Sequence, residues 1–136
     1  MLVFRVCGTR QNLYVFSIYC NPDLGDRIFV CLLTSIAAVQ AEDVRPSFLI
    51  VGDLNPYRHE RVDLQPQIVR VLQPLTYQLC QVDQLVVGPN HARGGTLFLL
   101  MTDVPDLVWI AVVAPIGNSD YSTLSAVISM ARLFQA

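Results

Sequence analysis

The segment SFLIVGDLN, residues 47–55, contains the residues that decide the fold. Residues 47–51 form an almost entirely apolar run of strand length, which is typical of a strand covered on both faces. The run stops at Gly52, and Asp53 and Asn55 follow with one residue between them. Asp and Asn also favour turns in which they bond their own backbone. Taken alone, the motif therefore fits both a strand-ending turn and the floor of an active site.

The segments upstream of this strand predict a hairpin followed by a helix. Leu2–Cys7 and Leu13–Tyr19 are strand-like runs separated by turn residues, so we expect them to pair. Residues 24–42 carry apolar side chains at helical spacing, namely Ile28, Leu32, Ile36 and Val39. Strand, helix and buried strand in this order predict an α/β fold.

The segments downstream predict a further helix and three more strands. Residues 68–85 favour a helix that Pro74 would break or bend. The three strands are expected over Thr96–Thr102, Leu107–Val113 and Thr123–Ile128. Because no repeat or linker divides the sequence, we interpret residues 1–136 as one domain, long enough to bury a core.

Composition excludes several classes of protein. Hydrophobic residues make up 53% and charged residues 15%, which excludes disorder. The net charge of -2 gives no global field for binding nucleic acid, although a local site remains open. The four cysteines form no close pair, so neither a zinc site nor a disulfide framework is expected. No apolar run is long enough to span a bilayer, and Arg5 and Arg10 interrupt the region where a signal peptide is apolar. We therefore expect an intracellular protein, cytoplasmic or nuclear, with no membrane partner.

Three segments together resemble the endonuclease/exonuclease/phosphatase superfamily. They are LYVFSIYCNPD (13–23), FLIVGDLN (48–55), and VVGPNHARGGTLFLLMTDVP (86–105) continuing to APIGNSDY (114–121). More narrowly, they resemble the endonuclease domain of non-LTR retrotransposon reverse-transcriptase proteins. The resemblance implies an α/β sandwich of two β-sheets flanked by helices, of which this chain would be the carboxy-terminal portion. It also implies cleavage of DNA phosphodiesters with Mg²⁺, and a reverse transcriptase domain in a longer parent protein.

The resemblance implies roles for four residues. Asp53 would orient or deprotonate the attacking water, and Asn55 would hydrogen-bond that water or the phosphate. Tyr19 would line the cleft and contact phosphate. Asp120, in NSDY, would lie near the attacking water and the metal, which prefers hard oxygen ligands. Two alternatives stay open, because Asp120 also fits a turn or helix cap and Tyr19 also fits a core aromatic with its hydroxyl at the rim.

The sequence departs from the family pattern in ways that affect catalysis. Tyr121 stands where the family has a histidine that stabilises the phosphate, and Phe98 stands where an aspartate bonds that histidine. Tyrosine, with a pKa of about 10, is neutral at pH 7 and has no cationic form, unlike histidine. The family's upstream half, which supplies a metal-binding glutamate, has no counterpart before Leu2. We therefore expect an impaired or inactive endonuclease with an uncovered sheet face or edge. The alternative is a non-catalytic remnant, either an interaction module or a fragment without function.

Overall fold

The computed structural model describes residues 1–19, 27–53, 73–79, 81–86, 98–119 and 123–129. The strands in these ranges are β1 (Leu2–Cys7), β2 (Asn12–Tyr19), β3 (Pro46–Asp53), β4 (Asp83–Gln84), β5 (Phe98–Thr102), β6 (Val108–Val113) and β7 (Thr123–Ile128). The described part of helix α1 spans Arg27–Glu42, residues 73–79 form helix α2, and Pro105–Leu107 form a 3-10 turn. The chain thus has mixed α/β content with two sheets, which confirms the predicted fold class at this level.

The large sheet is built around the parallel pair β2 and β3. Its five strands lie in the order β1-β2-β3-β5-β4, and only the β2–β3 pair is parallel. Parallel neighbours cannot be joined by a tight turn, and α1 supplies the crossover between them. β1 and β2 form the predicted antiparallel hairpin. The strand-helix-strand prediction is therefore confirmed.

One face of the large sheet packs against the helices. α1 buries Ile28, Leu32 and Ile36, which recur every four residues and so lie along one side of the helix. They form a core cluster with residues of the sheet and of α2, namely Phe16, Ile18, Phe48, Ile50, Leu75, Leu99 and Met101. Val39 is half-buried against the same cluster. The helical stripe predicted from the sequence is therefore the face that packs on the sheet.

The other face of the large sheet packs against the small sheet of β6 and β7. Its core cluster contains buried residues of both sheets, namely Leu13, Leu49, Val86, Leu100, Leu107 and Val108. Ile110, Leu124 and Ile128 of the small sheet are partly buried against it. Since β3 contributes to both clusters, its continuous apolar run is explained by cover on both sides, as predicted.

Some predicted element bounds need correction, and others lie partly outside the described residues. Within 68–85, the described helix covers residues 73–79 and includes Pro74, while Asp83–Gln84 is a strand. β5 is described from Phe98 to Thr102, and β6 begins at Val108 rather than Leu107. Among the described residues, no helix combines the length and apolarity that crossing a membrane requires.

The side chains of Thr102, the last residue of β5, and of Asp103, which follows it, bind the backbone near the start of β3. Thr102 Oγ1 donates a hydrogen bond to the Phe48 carbonyl oxygen at 2.8 Å, and the Phe48 amide donates to Asp103 Oδ1 at 2.7 Å. Thr102 Oγ1 also accepts from the Val104 amide at 3.1 Å. Both backbone polar groups of Phe48 thus have side-chain partners from the neighbouring strand end. Burial raises the pKa of Asp103, although the hydrogen bond from Phe48 acts in the opposite direction.

Truncation of the α1 stripe should be costly. Leu32 is 1% exposed in the helix-side core, whereas Val30 on the same helix is 64% exposed. We predict that Leu32→Ala lowers the free energy of unfolding by about 2–5 kcal/mol, because it leaves a cavity. Val30→Ala should change it by about 0.5 kcal/mol or less. Urea denaturation of both variants tests this, and equal effects would contradict the packing described.

Asp103 should make stability depend on pH in a defined direction. Because burial raises its folded pKa, its contribution to stability is complete below the unfolded pKa and is lost as pH rises through the folded pKa. Asn does not titrate and keeps an oxygen for the Phe48 amide. We predict that Asp103→Asn gains stability relative to wild type between about pH 3 and about pH 7. Denaturation at both pH values tests this, and a constant difference or the opposite trend would contradict it.

Candidate active site

Tyr19 and Asp53 lie side by side at the carboxyl ends of β2 and β3. The parallel register pairs Tyr19 directly with Asp53. Side chains alternate along a strand, so Asp53 shares a sheet face with Leu49 and Val51, which pack toward the small sheet. Tyr19 lies on the same face as its partner. The structure therefore brings together the two predicted site residues that it describes, on the side of the large sheet that faces β6 and β7.

Gly52 sets how closely the two strands approach at this point. Its φ is +147°, a conformation that side-chain-bearing residues rarely adopt. A Cβ placed on it would overlap the carbonyl oxygen of Ile18 and lie 2.7 Å from the carbonyl carbon. Since Ile18 is the register partner of Gly52, only glycine permits this pairing next to Tyr19 and Asp53. The close approach of the two strands therefore explains why the GD motif has a glycine at position 52.

The two side chains differ in exposure. Asp53 is 7% exposed and is still a strand residue, paired with Tyr19 on one side and with the backbone of Phe98 on the other. Tyr19 is 54% exposed, which argues against the alternative of a core aromatic. A carboxylate of low exposure beside an exposed phenol suits a site where the carboxylate orients water and the hydroxyl contacts a ligand.

The remaining predicted site residues fall outside the described ranges. Asn55 and Asp120 lie there, as does Tyr121. Position 98, where the family has an aspartate, is within β5, and its backbone pairs directly with Asp53. Phe98, one of the two positions where the sequence differs from the pattern it resembles, is therefore on the strand adjacent to the candidate site.

The described residues supply few donors for a metal. Within the described ranges there is no group of three or more His, Cys, Asp or Glu side chains that could hold an ion. At the carboxyl ends of β2 and β3 they offer the Asp53 carboxylate and the Tyr19 hydroxyl. Mg²⁺ in nucleotide and phosphate sites is commonly bound through one or two carboxylates, with waters and phosphate completing its shell. Asp53 offers one such carboxylate, and Asp120, the residue predicted to lie near the metal, is outside the described ranges.

Sequence reasoning missed a polar cluster at the opposite end of β2 and β3. Asp43, which follows α1, accepts hydrogen bonds from Asn12 Nδ2 at 2.7 Å, from the Tyr14 hydroxyl at 2.8 Å and from the Arg45 amide at 2.9 Å. Hydrogen bonds from Asn12, the Arg45 backbone and Tyr14 lower the pKa of Asp43. These residues line a cavity of about 480 Å³ together with Arg5 and Arg10.

The chemistry of this cluster indicates a structural role. Three donors already occupy the carboxylate oxygens of Asp43, so they tie the end of α1 to β2. One part of this cluster had a signal in the sequence. An aspartate often accepts a hydrogen bond from the amide two residues later, in an Asx turn, as Asp43 does from Arg45. Nothing in the sequence indicated Asn12 and Tyr14 as partners, because they lie 31 and 29 residues from Asp43.

No family model, curated protein or solved structure matches the chain. Membership of the endonuclease/exonuclease/phosphatase superfamily therefore stays a prediction carried by the three sequence segments. What the chain itself contributes to a functional assignment is the placement of Tyr19, Gly52 and Asp53.

Replacing Gly52 should disrupt the site more than replacing another glycine of positive φ. Gly52→Ala introduces a Cβ into the Ile18 backbone, so the pairing beside Asp53 must open. We predict a loss of roughly 3 kcal/mol or more in the free energy of unfolding. At Gly117, φ is +61° and a Cβ would meet nothing within 4 Å, so Gly117→Ala should cost only about 1 kcal/mol. Equal losses in urea denaturation would contradict the close approach at Gly52.

Proposed function

We propose that this chain carries part of the catalytic edge of a metal-dependent phosphodiesterase that acts on DNA, with impaired activity. The observation that supports this proposal is the direct pairing of Tyr19 with Asp53 at the carboxyl ends of parallel strands. Asp53 belongs to the GD-x-N motif and Tyr19 to the Y-x-N-P motif, two of the segments that carry the family resemblance. These two residues, far apart in the sequence, are therefore neighbours in the fold.

The arrangement of layers also supports the proposal. The large sheet packs on the small sheet through one face and on α1 through the other. Two sheets with a helix outside them are what the superfamily sandwich would require. Each of the first three segments that resemble the family includes part of β2, β3 or β5, which form the centre of the large sheet.

The proposed chemistry assigns one task to each residue. Asp53 would orient the attacking water and accept its proton, which is work suited to a carboxylate of low exposure. The Tyr19 hydroxyl would donate a hydrogen bond to a phosphate oxygen, and Asn55 would hold the water or the phosphate. Mg²⁺, held in part by Asp120, would offset the charge that develops on the phosphate.

The impairment follows from Phe98 and Tyr121. With Tyr121 in place of a histidine, the transition state lacks a cationic donor, and Phe98 has no carboxylate to orient one. Loss of one such electrostatic contact typically costs about 10²–10³ in rate. A slow enzyme is therefore proposed, rather than one with the full activity of the family.

A second candidate function is a non-catalytic interaction module. It is favoured by large apolar side chains on the surface, with Phe4 56% exposed, Trp109 58% and Val127 60%. Such surface is more often a contact site than a catalytic one. On this alternative, a reverse transcriptase domain in a longer parent protein would be a candidate partner, and Asp53 would be a vestige.

Nicking of supercoiled plasmid by the purified chain tests the enzymatic proposal. We predict slow conversion to open circles that requires Mg²⁺ and stops with EDTA. Asp53→Asn should lower the rate by about 10² or more, because the group that orients water loses its charge. Tyr19→Phe should lower it by about tenfold, as expected for one neutral hydrogen bond.

Asp106→Asn is the matched control. Asp53 pairs with Phe98, at one end of β5. Asp106 follows Thr102, at the other end of β5, which pairs with Leu49. The control should nick at the wild-type rate. Nicking that persists in Asp53→Asn would show another site or a contaminant. Absence of nicking by folded wild-type protein would favour the interaction module.

A further inference from the structure

Strand β1 is an open edge of the large sheet. The strand order places it outermost, with β2 on one side, and no strand among the described ranges pairs with its outer edge. Its sequence, LVFRVC, contains one charge and no proline. Soluble proteins usually protect an edge strand with charges, proline, a bulge or a covering element. Within the described part of the chain, β1 has Arg5 as its one charge, no proline and an unbroken register with β2.

Most side chains of β1 are apolar, and exposed ones lie on both faces of the sheet. Leu2 is 64% exposed, Val3 47% and Phe4 56%. Phe4 pairs with Val15 and therefore lies on the small-sheet face, whereas Val3 pairs with Phe16 on the helix face. A partner that adds a strand to this edge would thus gain backbone hydrogen bonds and would cover apolar side chains above and below.

The sequence of β1 is suited to pairing with itself. In an antiparallel pair, opposite side chains share a face, so the two-fold axis of a symmetric pair must pass through one residue and its copy. An axis at Arg5 would set two guanidinium groups opposite each other. An axis at Val3 would leave the end of the strand unpaired. An axis at Phe4 pairs residues 2–6, which is the whole of β1 except Cys7.

With the axis at Phe4, every opposed pair is compatible. Phe4 meets Phe4 of the second copy, and Leu2 meets Val6 on the same face. Val6 already packs against the core between the two sheets, so this pairing would extend that core. Arg5 falls opposite Val3, so the two guanidinium groups are not set against each other, and within its own chain Arg5 is the register partner of Tyr14.

We propose that β1 is a dimerisation edge that pairs antiparallel with β1 of a second copy of this chain, with Phe4 on the two-fold axis. The large sheets of the two copies then form one continuous sheet. The outer face of β6 and β7, with Trp109 and Val127 exposed, is not part of this interface.

Sedimentation velocity across a range of protein concentrations tests the proposal with charge-swapped variants. Wild type should show a reversible monomer–dimer equilibrium. Phe4→Lys and Phe4→Glu should each raise the dissociation constant at least about tenfold, because like charges meet at the axis. An equimolar mixture of the two variants should recover the dimer, because opposite charges then meet. Trp109→Lys, an equally exposed aromatic of the small sheet, should dimerise like wild type.

Several results would overturn the proposal. They are a wild type that stays monomeric throughout, a Phe4→Lys variant that dimerises as wild type does, and a loss of dimer in Trp109→Lys. A mixture that stays monomeric, although both variants keep the wild-type circular dichroism, would also overturn it. Unfolded chains cannot form the mixed dimer. Recovery of the dimer in the mixture therefore shows that both variants are folded and that their loss of dimer came from charge repulsion.

Discussion

The contact between the backbones of Gly52 and Ile18 is the constraint on which the rest of the structure depends. It allows β2 and β3 to lie in parallel register up to their carboxyl ends, where Tyr19 and Asp53 become neighbours. A parallel pair needs a long crossover, and α1 both supplies it and covers one face of the sheet. The other face is then left for the small sheet, and Asp53 lies on that side.

The two ends of the β2–β3 pair have different tasks. At the amino ends, Asp43 and Asp103 accept hydrogen bonds from main-chain and side-chain donors and fix how α1 and β5 meet β2 and β3. At the carboxyl ends, Tyr19 is exposed and Asp53 lies beside it. Structural polar contacts at one end thus hold the register that positions chemically useful groups at the other. The open edge at β1 is separate from both, so association and catalysis would involve different surfaces.

Much of the fold could be predicted because its signals are local. The apolar stripe of α1, the hairpin and the doubly covered run of β3 follow from periodicity and turn residues, and β7 matches its predicted bounds. The strand order could not be predicted, because β5 pairs with β3 across some fifty residues of sequence. Asp103 was missed for the same reason, since its partner Phe48 lies 55 residues away. Of the four predicted site residues, Tyr19 and Asp53 meet, and Asn55 and Asp120 fall outside the described ranges.

Backbone nuclear Overhauser effects between β2 and β3 in solution test the central claim most directly. We predict cross-strand effects that connect Ile18 with Gly52 and Tyr19 with Asp53, because these are register partners in a parallel pair. Effects that connect Asp53 with Ser17 instead would reveal a slipped register in which Gly52 no longer faces Ile18. That result, or the absence of any contact between the ends of the two strands, would contradict the placement on which the candidate site is built.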